Sequence, residues 1–60
     1  MGNKIKDMRE KKQMSQYKLA ELAGLSQSQI SKIEQNKRKL KADELKRISE
    51  VLEIQIEELI

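Results

Sequence analysis

Apolar positions recur along this chain in short helical registers, separated by polar or glycine-containing breaks. Ile5 and Met8 share one face of a first segment, for which Asn3 is a candidate cap and Gln13 an approximate end. Ser15 can cap a second amphipathic run over residues 16–23, with Tyr17, Lys18 and Glu21 on its outer side. Gly24-Leu25-Ser26 interrupts the pattern: glycine suits the left-handed backbone that ends a helix, and serine suits the cap of the next. That next helix is predicted over 27–35 around Ile30 and Ile33, ending at Asn36, which tolerates positive φ. Beyond the basic run Lys37-Arg38-Lys39-Leu40-Lys41, Leu45, Ile48 and Leu52 at i, i+3 and i+7 mark a fourth helix over 42–52. Nothing in Glu53-Ile54-Gln55-Ile56 is a strong breaker, so local pattern alone also permits one helix from 42 to 60. No useful alternation of strand period occurs, and the fold class predicted is all-α.

Two short helices joined by a three-residue break cannot continue in line. They must cross, and the second then projects from the body, which is the geometry of a helix-turn-helix. At about 100° per residue, Ile30 and Ile33 point one way, while Ser28, Ser31, Lys32 and Gln35 point the other and Gln27 sits in the first turn. Gln can bond adenine N6 and N7 together, Lys can reach guanine O6 or N7, and Ser reads or positions more loosely. The helix starts at Ser15 and Ser26 offer free amides suited to phosphate oxygens. Taken alone, such a face is an ordinary solvated surface. Its place between a sharp turn and a five-residue basic loop turns the reading toward duplex DNA.

Charge strengthens that reading. The net charge of +3 conceals a segregation: residues 1–41 hold eleven Lys or Arg against four acids, residues 42–60 two against six. A body at +7 with an end at −4 orients one side toward a polyanion.

Sixty residues allow one domain, 1–60, which buries only about 60% of its unfolded surface. With no Cys and no His there is no disulfide frame and no common metal ligand or general base, so neither metal nor cofactor is expected. No apolar run approaches the roughly 20 residues of a membrane span, and no apolar leader is present, so a cytoplasmic protein without membrane association is expected. An enzyme is disfavoured, there being no phosphate-binding glycine loop and no carboxylate cluster in an evident pocket. Single-strand and RNA recognition is disfavoured too, because Tyr17 is the only aromatic available to stack a base.

Glu34 lies about 70° from the buried direction of its helix and Arg9 about as far from the Ile5/Met8 face. Half-buried ions need partners, so an Arg9–Glu34 pair is predicted to tie the first helix to the third.

At these residues the chain resembles the Xre family, the Cro- and phage-repressor-like (lambda-repressor-like) helix-turn-helix domains. Met14-Ser15-Gln16 is similar to the family's opening of helix two, Leu19-Ala20 to its "LA" pair, and Gly24-Leu25-Ser26 to its turn. Ile30-Ser31-Lys32-Ile33-Glu34 resembles the "ISxIE" block, and Arg9 the arginine of helix one. Leu45, Ile48, Leu52, Ile54 and Leu59 fall where the family places core residues. The resemblance covers essentially the whole chain. It implies a compact five-helix domain, with a break near 53–55 and a short last helix over about 56–60. It also implies that Gln16 bonds a phosphate and braces Gln27, and that Gln27, Ser28 and Lys32 face bases, with Ser31 and Gln29 near the edges. Asn36, Lys37 and Arg38 would contact the DNA backbone, as Ser26 does through its helix start. Three positions depart from the family: Asn36 and Glu53 replace glycines after helices three and four, and Leu40 replaces a proline.

The function expected is a transcriptional regulator, a repressor, that places helix three in the major groove of double-stranded DNA. One helix reads only a few base pairs, so a homodimer on a palindromic operator is expected, weak in solution or formed on DNA. Ile56 and Ile60 are the candidate dimer contacts, with Ile54 and Leu59 assigned to the core. The alternative is a protein-interaction module, such as the antitoxin of a toxin–antitoxin pair; substitutions at Gln27 and Lys32 would remove operator binding and leave a protein complex intact.

Overall fold

Each helix of this protein stops in the same way. In a computed structural model covering all of residues 1–60, the elements are α1 (Gly2–Lys11), α2 (Gln16–Ala23), α3 (Gln27–Glu34) and α4 (Ala42–Leu52), followed by a single 3-10 turn, Ile56–Glu58. The four residues with positive φ, Gln13, Gly24, Asn36 and Glu53, follow the four helices in turn. After each, the next amide reaches back five residues: Met14 to Arg9, Leu25 to Ala20, Lys37 to Lys32 and Ile54 to Ser49, at 2.8–3.1 Å. This is the Schellman closure, in which orphan carbonyls of the last turn are satisfied by the chain leaving it. Three of the four exits are apolar, and Met14, Leu25 and Ile54 all pack against the core. An apolar residue anchored there drags the preceding residue into the left-handed region even when it is not glycine.

The starts are equally local. The Ser15 hydroxyl accepts from the Lys18 amide at 3.0 Å. Ser26 and Gln29 form a reciprocal capping box, Gln29 N–H to Ser26 Oγ at 3.1 Å and Ser26 N–H to Gln29 Oε1 at 2.9 Å. The helices enclose Ile5, Leu19, Ala20, Ala23, Ile30, Ile33, Ile48, Leu52 and Leu59. Burying an Ile or Leu side chain is worth about 1.5–3 kcal/mol, so these residues carry the drive to fold. α2 packs on both α3 and α4, α1 packs on α3, and the 3-10 turn closes against α4.

Three expectations need correction. Asn3 does not cap α1: the helix begins at Gly2 with Met1 in the cap position, and the Gly2 amide is satisfied by Asn36, just past the end of α3. α1 also ends at Lys11, and α3 at Glu34, each shortened where its left-handed stop begins. In place of the five helices expected there are four α-helices and one 3-10 turn, Ile56–Glu58, where a short last helix over about 56–60 was expected. Glu53 at φ 59° stops α4, ruling out one helix from 42 to 60, and too few residues remain before Leu59 must enter the core.

Candidate nucleic-acid interface

The turn Gly24-Leu25-Ser26 sets α3 across α2 with Ile30 and Ile33 buried at 0% and 2% exposure. Gln27, Ser28 and Lys32 are exposed on its other side, and no hydrogen bond of the protein engages their side chains. Ser31 is half-buried and its hydroxyl accepts from Gln35 Nε2 at 2.9 Å. Gln29, expected near the edge of the reading face, is folded back into the capping box at Ser26. Its role is to set the start of α3.

Behind this face lies the ion pair that fixes it. Arg9 Nε donates to Glu34 Oε2 at 2.7 Å and Nη2 to Oε1 at 3.2 Å, with Arg9 8% and Glu34 5% exposed. Its remaining nitrogen, Nη1, donates to the Met14 carbonyl at 2.7 Å. Arg9 therefore joins α1, the α1–α2 connection and α3 at one guanidinium. Hydrogen bonding to Glu34 raises the Arg9 pKa above its ordinary value, against the opposing effect of burial. Gln16, expected to brace Gln27, instead gives its amide N–H to Glu34 Oε1 at 3.0 Å, so it is tied to the same node.

Past α3 the basic loop divides. Lys37 and Lys39 are exposed, and neither ammonium meets a carboxylate. Arg38, expected at the DNA backbone, is committed inward: Nη1 donates to Glu44 Oε1 at 3.0 Å and Nη2 to Oε2 at 2.9 Å. Hydrogen bonds from Arg38, and then from the Lys41 amide, hold the Glu44 carboxyl down at about 2. Asn36 is committed in part as well, its Oδ1 accepting from the Gly2 amide at 3.1 Å. Sequence reasoning missed both Glu44 and Gly2. The available signal for Glu44 was its place as the third residue of α4, where a carboxylate turns back to the cap amide.

Ile56 is half-buried and Ile60 71% exposed on the last segment. No three His, Cys, Asp or Glu residues come together as metal ligands. The one concavity, about 300 Å³, is a groove between the start of α1 and the basic loop, lined by Gly2, Ile33 and Leu40 among others. No helix is long and apolar enough to cross a membrane.

Comparison with known proteins agrees with this geometry. A search of curated protein sequences finds no match. Among solved structures, the restriction-modification controller protein C.AhdI from Aeromonas hydrophila superposes with a TM-score of 0.95 at 29% identity, covering 98% of this chain and 89% of its own. SinR, the master regulator for biofilm formation, solved in complex with DNA, gives 0.93 at 34% identity over 100% of both chains. The helix-turn-helix family profile matches residues 5–59, nearly the full length, and with it the chain belongs to the Xre/Cro-like helix-turn-helix family.

Proposed function

We propose that this protein is a single-domain, sequence-specific double-stranded DNA-binding transcriptional repressor. It inserts α3 into the major groove and acts as a dimer on a palindromic operator. The observation that carries the reading is the outer face of α3, where Gln27, Ser28 and Lys32 are exposed and engaged by nothing in the protein. A polar helix face left free of internal partners, on a helix locked from behind by a buried ion pair, is preorganised for base edges. SinR, 34% identical over the whole of its solved chain, was solved with DNA, which supports the same partner here.

Within this reading Gln27, Ser28 and Lys32 contact bases, with Ser31 at the margin. Ser26 and Gln16, at the two helix starts, meet phosphates together with Asn36 and Lys37. Lys supplies affinity that any sequence shares, and the α3 face supplies discrimination. The molecule measures 24 × 23 × 18 Å, so two copies side by side can present their reading helices about one DNA turn, roughly 34 Å, apart. Ile56 and Ile60 are the apolar contacts through which those copies meet.

Selection of bound sites from random duplex DNA tests this reading, with half-site spacing read from the winners. Q27A and K32A should each relax base preference at one position and weaken specific binding by about 1–3 kcal/mol. Full affinity and unchanged preference in both variants would remove α3 as the reading element.

A further inference from the structure

Of the four cations between Lys37 and Lys41, only Arg38 meets a carboxylate, and it does so with both terminal nitrogens. The same carboxylate also takes the Lys41 amide, at 3.0 Å to Oε1. Glu44 is 5% exposed and stands on the first turn of α4, a rigid element. One buried carboxylate thus pins the segment at two points three residues apart. The segment contains neither proline nor glycine, and Leu40 is its half-buried apolar contact with the core, so its path is fixed by this clasp more than by its backbone chemistry.

We propose that Glu44 is a positioning residue for DNA binding: it withholds Arg38 from the phosphates and uses it to hold the loop, so that Lys37 and Lys39 meet the DNA backbone in a fixed geometry. This rests on the DNA-binding reading. Moving Arg38 over to a phosphate would break two charge-assisted hydrogen bonds and leave a buried carboxylate without its counter-charge. Lys37 and Lys39 face no such competition. Their long side chains lose less freedom on binding if the backbone beneath them is already ordered.

The prediction runs against simple charge counting. Removing an acid beside a DNA-binding loop should tighten binding if its charge is what matters; here it weakens binding. The test uses the full chain with a random-sequence DNA duplex titrated across salt. The expected result for R38Q is an unchanged slope of log affinity against log salt, with about a fivefold loss at fixed salt from disorder of the loop. K37Q, by contrast, lowers the slope by about 0.9, the signature of one lost phosphate contact. E44Q weakens binding, E44A more so, and R38Q/E44Q is no weaker than R38Q. Amide exchange at residues 39–42, measured without DNA, speeds up in R38Q and E44A while the core amides stay protected. A slope reduced by about 0.9 in R38Q, or tighter binding by E44Q, overturns the assignment. Unchanged loop exchange also overturns it and leaves the DNA reading standing. A wild-type chain with no salt-dependent affinity for duplex DNA overturns the DNA reading itself.

Discussion

The backbone amide of Gly2 donates to Oδ1 of Asn36 across 3.1 Å, joining the first turn of α1 to the residue that ends α3. Asn36 sits at φ 60°, where glycine would be more comfortable, and it supplies a side-chain acceptor that glycine lacks. Its amide is thereby part of the frame that holds α3 in place. The approach is close: a Cβ on Gly2 would press on the carbonyl oxygens of Ile33 and Glu34, within 2.8 Å of the latter.

Gly2→Ala should therefore destabilise the protein, although alanine is the better helix former. The overpacking cost expected is about 1–3 kcal/mol, seen as a lower midpoint in urea unfolding. Asn36→Gly should be nearly neutral, because relief at positive φ offsets a lost hydrogen bond of about 1 kcal/mol. Asn36→Ala loses on both counts and should be the worse of the two.

Glu53 also occupies the left-handed region, at φ 59°, and its carboxylate meets Lys12 at 3.0 Å while 78% exposed. An exposed pair of this kind is worth about 0–1 kcal/mol. Glu53→Gly should gain about 0.5–1 kcal/mol from the backbone. In a Lys12→Ala background, where no pair is lost, the gain should appear in full as a thermal midpoint several degrees higher.

Arg9→Ala leaves Glu34 buried without a counter-charge, at an expected cost of about 3–5 kcal/mol. That equals the whole stability expected of a domain this small, so circular dichroism should report a largely unfolded chain. Arg9→Met with Glu34→Leu removes both charges together and should recover most of the helix signal. A single variant as stable as wild type would show that the pair is dispensable.

Acid should reach the fold through Glu44. Its carboxyl is held at about 2 in the folded state against an ordinary 4.5, chiefly by Arg38 and then by the Lys41 amide. A depressed carboxyl favours the folded form above its unfolded pKa, so this contribution is complete above about 4.5 and is lost as pH falls toward 2. Glu44→Gln should flatten that part of the stability–pH curve while retaining the acceptor for the Lys41 amide. Stability measured by urea titration at several pH values checks it.

Much of this was legible in the chain. Ser15, Gly24 and Ser26 act within a few residues of themselves, and α2 and α4 run over the residues their apolar spacing predicts. The stops at Gln13 and Glu53 were harder, because neither residue favours positive φ. Met14 and Ile54 impose it by entering the core, a cause that lies outside the helices they end.

What the sequence alone determined, then, was the set of elements and the polar face of α3, since caps, turns and helical periodicity depend on neighbours a few residues away. Which polar groups around that face stayed free was decided by the folded chain, mostly through tertiary contacts. Gln29 was drawn into a cap, Gln16 onto Glu34, Arg38 onto Glu44, and half of Asn36 onto Gly2. Three of those four partnerships join residues separated by a helix or a loop, and each acceptor, two of them on buried carboxylates, takes the donor that packing delivers to it, a distance relationship that helical periodicity does not encode.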